Sequence, residues 1–188
     1  MKILTVSGYK SHEIGIYKQS DPAVKIIKKA IRQHIEAKVD EGLEWVLVSG
    51  QLGVEMWAAE VVIELRDHFP ELKLAILTAF EKHEDKWNEN NQEMYQQIVL
   101  EADFVDAISK KPYENPQQLK NKNLFHLSKS DGLLIIYDEE KEGSPKFLWE
   151  MARDWSENNE YNVTQINFQD LQWLVEEDQL DKDSSIVD

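Results

Sequence analysis

The sequence predicts an α/β protein with a Rossmann-like, open and mainly parallel sheet that carries helices on both faces. Three observations support this fold class. Short apolar runs such as Trp45 to Val48 have the length and the β-branched composition of strands buried on both faces. Amphipathic helical patterns lie between these runs. Glycine turns at residues 7–10 and 49–54 follow two of the strands, where open α/β sheets commonly bind ligands.

Each element follows from a local pattern. Residues 20–22 combine a capping side chain with proline, which predicts a helix start, and Gly42 ends that helix. The predicted strands are residues 3–6, 45–48, 72–77, 103–108, 131–137 and 163–166. The predicted helices are residues 22–41, 54–68, 92–100, 117–128, 146–158 and 169–177. In the helix 117–128, we expect Leu119, Leu124 and Leu127 to form the buried side.

The length of 188 residues and the lack of an evident linker predict a single domain, residues 1–178. We expect the acidic segment 179–188 to be a flexible tail. The chain has no cysteine, which excludes disulfides and cysteine-ligated zinc. The first residues do not resemble a signal peptide, and no apolar run reaches the roughly 20 residues that span a bilayer. We therefore expect a cytoplasmic protein without a membrane partner.

The formal net charge of -15 bears on the possible partners. A chain of this charge repels a polyanion on average, so we expect no nucleic-acid partner. The five histidines show no metal-ligand spacing, and the densest group, His83-Glu84-Asp85, is a weak candidate. We predict no metal site, and the sequence indicates no oligomeric state.

The clearest candidate site is the glycine loop between the strand 45–48 and the next helix. It contains Gly50, Gln51 and Gly53, and Glu55 follows in the first helical turn. In a strand–loop–helix arrangement, glycines let backbone amides approach a ligand, and the helix N-terminus favours an anion such as phosphate. The alternative is a turn that needs glycine for a positive φ and binds nothing.

Other strand ends add candidate ligand-binding residues. Gly8 ends the first strand, Lys10 follows it, and Lys146 follows a Gly-Ser-Pro turn at a helix start. Both lysines are candidate phosphate partners, although exposed lysines are commonly only solvated. Glu55 either interacts with the helix dipole or accepts a hydrogen bond from a ribose. Trp57, like other aromatic residues here, either stacks on a base or packs in the core.

Several segments together resemble the YpsA-like family, a branch of the SLOG superfamily. They are Ser7–Lys10, Asp40–Trp45, Ser49–Glu60, Ser130–Leu134 and Glu142–Lys146. The superfamily also includes the DNA-processing protein DprA and the LOG-type phosphoribohydrolases. The resemblance implies a Rossmann-like fold, a nucleotide-derived ligand and a link to cell division or envelope growth.

The chain departs from the LOG motif Pro-Gly-Gly-x-Gly-Thr-x-x-Glu. When Gly50 and Gly53 are laid on its first and third glycines, Gln51 replaces a glycine and Trp57 occupies the glutamate position. Glu55 precedes that position by two residues, which turns it by roughly 200° on a helix. The resemblance therefore does not supply the catalytic carboxylate, and we assign no catalytic residue.

Three functional hypotheses remain open at this point. The first is a cytosolic sensor that needs no cofactor and binds an ADP-ribose- or NAD-like molecule. Its ligand-binding residues would be Gly8, Lys10, Gly50, Gln51, Gly53, Glu55 and Lys146. The second hypothesis is a nucleotide N-glycosidase that uses Glu55 or Glu60. The third is a protein-interaction module in which the glycine loop is only structural.

Overall fold

Strands and helices alternate along the whole chain in the computed structural model, which describes residues 1–186. The strands are β1 (Ile3–Gly8), β2 (Trp45–Val48), β3 (Lys73–Phe80), β4 (Phe104–Ser109), β5 (Gly132–Ile136) and β6 (Asn162–Ile166). The helices are α1 (Pro22–Asp40), α2 (Val54–Leu65), α3 (Glu89–Glu101), α4 (Gln117–Lys129), α5 (Pro145–Asn158) and α6 (Phe168–Ser185). A 3-10 turn at Ser11–Ile14 follows β1.

The six strands form one sheet in the order β4-β3-β2-β1-β5-β6, and all neighbouring strands are parallel. The register pairs Leu4 of β1 with Val46 of β2 on one side and with Gly132 of β5 on the other. The first four strands are added outward from β1 in one direction. Helix α4 then crosses back and places β5 beside β1, which makes the gap between β1 and β5 the topological switch point.

Helices cover both faces of the sheet, as the sequence predicted. On one face, α2 packs on the central strands and also contacts α1 and α3, while α6 packs against α1. On the other face, α4 and α5 contact each other and lie over β1 and β3–β6. Right-handed crossovers produce this division, because the connections before and after the switch point run in opposite directions. The predicted fold class is confirmed.

The core lies between the central strands and α2. Val46, Val48 and Ile76 are fully buried in neighbouring strands, and every residue of β5 is buried. Strands with water on neither face need continuous apolar sequence, which explains why these strands were recognisable as uninterrupted runs. In contrast, β4 forms an edge of the sheet and leaves Phe104 exposed.

The buried side of α4 differs from the predicted one. Leu127 is buried as expected, but Leu119 is 40% exposed and Leu124 is 48% exposed. Polar residues take their place, with Asn123 and His126 almost completely buried. Two side chains of this face donate to carbonyl groups, Gln118 to that of Pro112 and His126 to that of Leu77, and buried carbonyls need such donors.

The last helix is longer than predicted. Asn167 and Asp170 form a capping box at its start, and the helix continues to Ser185 rather than ending near residue 177. The segment 179–185, which we expected to belong to a flexible tail, is therefore helical. Residues 187–188 lie outside the described part of the chain. Within residues 1–186, no helix combines the length and the hydropathy that crossing a bilayer requires.

Candidate functional site

A cleft of about 550 Å³ lies at the carboxyl ends of β1 and β2, beside the switch point. The ends of these strands form its floor, and the first halves of α4 and α5 form its walls. Ligands of open α/β sheets bind at this position, and the volume falls within the range of small-molecule sites. Of the seven sequence-predicted residues, the cleft brings together Gly8, Lys10, Gln51 and Glu55.

Glu55 closes the loop that precedes its own helix. The residue is only 3% exposed, and its carboxylate accepts a hydrogen bond from the Gln51 N–H at 2.9 Å. The Ser49 hydroxyl lies 2.7 and 2.9 Å from the two carboxylate oxygens. The Ser49 backbone nitrogen lies 3.4 Å from one of them, Oε1. These donors satisfy most of the acceptor capacity of the carboxylate. The side chain therefore fixes the loop, in addition to its place in the first turn of α2.

The conformation of Gly53 is explained by contacts within the chain. Its φ of 102° and ψ of -131° are accessible essentially only to glycine. A Cβ there would lie 2.5 Å from both the Tyr9 carbonyl oxygen and the Ser11 nitrogen. The loop after β1 thus occupies the space beside Gly53, and the Val54 N–H donates to the Tyr9 carbonyl at 3.1 Å. Gly53 does not line the cleft.

Gly50 also faces away from the cleft. Its φ is 77°, and a Cβ would lie 3.1 Å from the Ile76 side chain and 3.3 Å from the Nε2 atom of His83. The His83 ring donates a hydrogen bond to the Gly50 carbonyl at 3.0 Å and packs edge-on against Trp87 and Tyr95. His83 is thus a structural partner of the loop. Among residues 1–186, no three His, Asp or Glu side chains are arranged to hold a metal ion.

Three lysines line the cleft, namely Lys10, Lys120 and Lys122. Lys122 is half-buried and, within the described residues, no carboxylate oxygen lies within 4.0 Å of its ammonium group. Burial lowers the pKa of Lys122, the charge of Lys10 lowers it further, and the Glu55 carboxylate opposes both effects. Three carboxylates, those of Glu55, Glu150 and Asp154, also line the cleft and balance the three lysines, so the cleft is less acidic than a chain of net charge -15 as a whole.

Lys146, in contrast, is not brought to the cleft. Its ammonium group forms ion pairs with Glu142 at 2.8 Å and Glu150 at 4.0 Å, and the bond to Glu142 raises its pKa. The start of α5 is held instead by Glu13, whose carboxylate accepts bonds from the Ser144 N–H and hydroxyl at 2.8 and 2.9 Å. Burial opposes the ionisation of Glu13, but its hydrogen bonds from Ser144 and Lys10 outweigh it and lower the pKa.

The sequence reasoning missed the contribution of α4. Lys122 and Asn123 both line the cleft, and His126 lies one turn further along the helix. The available signal was the spacing of Gln118, Lys122 and His126, which puts polar groups on one helical face. The His126 ring donates from Nε2 to the Leu77 carbonyl at 2.9 Å. Burial, with the charge of Lys122, lowers the pKa of His126 to about 4.

The position of the LOG glutamate holds no carboxylate. Trp57 is buried there, and its indole N–H donates to the Gln19 side chain at 3.1 Å. Glu60 pairs with Lys28 at 3.2 Å and lines a different cavity, which α2 and the start of α3 form with the segment 11–19. Glu55 is thus the nearest carboxylate to the loop, and its oxygens already accept hydrogen bonds from Ser49 and Gln51 of that loop.

These features define a Rossmann-like α/β protein with a lysine-containing, small-molecule-sized cleft at its switch point. The family model named YpsA and described as the YspA SLOG family matches residues 4–171, so the chain belongs to this family. A UPF0398 protein of Bacillus thuringiensis (strain Al Hakam) is 51% identical over 179 residues, which cover 95% of this chain and 97% of the relative. A UPF0398 protein of Bacillus cereus (strain Q1) shows the same identity and coverage. The resemblance to the YpsA-like family is confirmed.

Proposed function

We propose that this protein binds a nucleotide-derived small molecule of the ADP-ribose or NAD class in the switch-point cleft, as a sensor rather than as an enzyme. One observation carries the proposal. Lys10 and Lys122 point charge into the same cleft, and no described carboxylate pairs with either ammonium group. The chain has 36 acidic and 21 basic residues, so carboxylates that could pair with these two lysines are abundant in the sequence.

An anionic ligand would complete this arrangement. The half-buried Lys122 ammonium loses hydration, and Lys10 adds repulsion; the Glu55 carboxylate offsets part of this cost, but the pKa of Lys122 is still lowered. A phosphate or pyrophosphate would reverse both effects, because lysine binds phosphate oxygens as a point charge. The lowered pKa of Lys122 has the same physical origin.

The remaining walls suit the other parts of a nucleotide. Pro116, Leu119, Phe147, Leu148 and Met151 contribute apolar surface on α4 and α5. Small-molecule sites combine such apolar walls with a few polar groups that fix orientation. A base and a ribose have flat or weakly polar faces that fit these walls, whereas an inorganic anion would leave them unused.

A binding role fits the geometry of Glu55 better than hydrolysis does. Its carboxylate oxygens accept hydrogen bonds from Ser49 and Gln51, so they fix the loop rather than face a substrate. Trp57 offers no carboxylate at the position that the LOG motif uses. A nucleotide sensor would also suit the role in cell division or envelope growth that the family resemblance implies.

Isothermal calorimetry and thermal unfolding with ADP-ribose, NAD and AMP test the proposal. A ligand at 100 times its Kd should stabilise the folded protein by about 2.7 kcal/mol. We expect Lys10→Met and Lys122→Met to weaken binding at least tenfold, because each removes a phosphate partner and keeps an unbranched side chain of nearly the same length. Lys122→Met should also raise the stability of the ligand-free protein, since it removes a poorly hydrated charge.

Lys146→Met is the matched control, because Lys146 lies on the same side of the sheet but outside the cleft. We expect it to keep parental affinity. Absence of binding for all three nucleotides would contradict the proposed function. Equal losses in Lys146→Met and Lys122→Met would place the ligand elsewhere.

A further inference from the structure

We infer that Asn123 recognises the edge of a nucleobase in this cleft, namely an exocyclic amine beside a ring nitrogen, as adenine presents. The inference rests on the proposed function, since it concerns a nucleotide bound at the same place. Asn123 is only 7% exposed, and it lines the cleft. Its side-chain oxygen is buried and has no hydrogen-bond partner among residues 1–186.

The other buried polar side chains of α4 show that this is unusual for the helix. The Gln118 oxygen accepts from the N–H groups of Glu114 and Asn115, and its nitrogen donates to Ser109 and Pro112. The His126 ring likewise bonds to the Leu77 carbonyl. Gln118 and His126 do not line the cleft, whereas Asn123 does. Asn123 is thus the residue of this helix that both lines the cleft and carries an unsatisfied buried polar atom, and native proteins rarely leave such atoms unpaired without a reason.

The chemistry of the amide selects the part of the ligand that it contacts. Its oxygen needs a hydrogen-bond donor, which a phosphate does not carry. Its nitrogen is a donor beside that oxygen, so the amide as a whole matches an acceptor next to a donor. The amine and ring nitrogen of adenine form this pair, and asparagine recognises adenine in this bidentate way in nucleic-acid complexes.

The surroundings of Asn123 agree with a base at this position. Leu119 lies one turn before it on α4, and Phe147 faces the same cleft from α5 with 66% of its surface exposed. Apolar surfaces on two walls can cover the faces of a planar ring while the amide contacts its edge. Lys122 and Lys10 remain available for the phosphate end of the same ligand.

A ligand series on the unaltered protein tests the inference first. The probes are AMP, purine riboside 5′-monophosphate, which lacks the exocyclic amine, and ribose 5-phosphate, which lacks the base. We expect AMP to bind about tenfold or more tightly than either of the other two. Equal affinities for AMP and purine riboside 5′-monophosphate would overturn the inference and leave the proposed function standing. No binding of any probe would overturn the proposed function itself, before any variant is made.

Asn123→Leu provides the second test, since leucine has a similar volume and no polar atoms. We expect this variant to bind AMP as weakly as purine riboside 5′-monophosphate and to keep parental affinity for ribose 5-phosphate. Its ligand-free melting temperature should rise, because an unsatisfied buried polar group is removed. Undiminished AMP affinity would refute the role of Asn123. Equal losses for AMP and ribose 5-phosphate would also refute it, because they would indicate a contact with the sugar.

Discussion

Replacement of Gly53 by alanine should destabilise the fold, and the structure explains why. Two effects act together. The backbone at φ 102° and ψ -131° belongs to a region that residues with a Cβ rarely adopt. The added methyl group would also lie 2.5 Å from two backbone atoms, Tyr9 O and Ser11 N, which cannot rotate away as a side chain could.

The magnitude follows from these two effects. Holding a non-glycine residue in such a conformation costs about 1–3 kcal/mol. Forcing a methyl group into a packed contact costs about 1–3 kcal/mol more. A loss near the middle of the summed range, about 4 kcal/mol, would lower the melting temperature of a domain of this size by about 8–16 °C.

Gly15→Ala is the matched control. Gly15 has a φ of 68° but nothing within 4 Å of its added Cβ, so only the left-handed conformation is penalised. We expect a loss of about 1–2 kcal/mol for this variant. Urea unfolding of both variants beside the parent measures the difference. If Gly53→Ala is no more destabilising than Gly15→Ala, the contact between the two loops is not what requires glycine at position 53.

Four further outcomes are expected. Glu55→Gln should cost about 1.5–3 kcal/mol in urea unfolding, because charge-assisted bonds from the loop are lost, and a loss below 0.5 kcal/mol would contradict that role. Folding lowers the pKa of His126 from 6.5 to about 4, so the unfolded chain binds this proton more readily than the folded protein does. The free energy of unfolding should therefore decrease by at most about 3 kcal/mol as the pH falls from 6.5 to 4. NMR titration checks this, and Lys122→Met should raise the His126 pKa. Because Trp57 occupies the LOG glutamate position, chromatography should detect no base released from AMP or NAD, and steady release abolished by Glu55→Gln would instead support an N-glycosidase. The net charge of -15 predicts no DNA binding at physiological salt, which sub-micromolar affinity in an anisotropy titration would contradict.

Local sequence patterns were sufficient for the fold and for the edge of the sheet that carries the cleft. Uninterrupted apolar runs such as β2 and β5 can be buried only by helices on both faces, and the parallel connections then bring all strand ends to one edge. Gly8 and Gln51 were located at this edge for that reason. These patterns span a few residues each, so no long-range contact is needed to read them.

The tertiary structure alone decided which side chains meet in the cleft. Lys122 and Asn123 come from a helix far along the chain from the glycine loop, and only the crossover of α4 brings them beside it. Lys146 lies in the first turn of α5, between the cleft residues Pro145 and Phe147, yet its ammonium group pairs with Glu142 and does not line the cleft. A glycine at position 53 is compatible with either a ligand or a neighbouring loop beside it, and the sequence does not distinguish the two. Conformational preferences are local, whereas the neighbours of a side chain are set by segments that are distant along the chain, and for that physical reason the sequence determined the sheet and the structure determined the site.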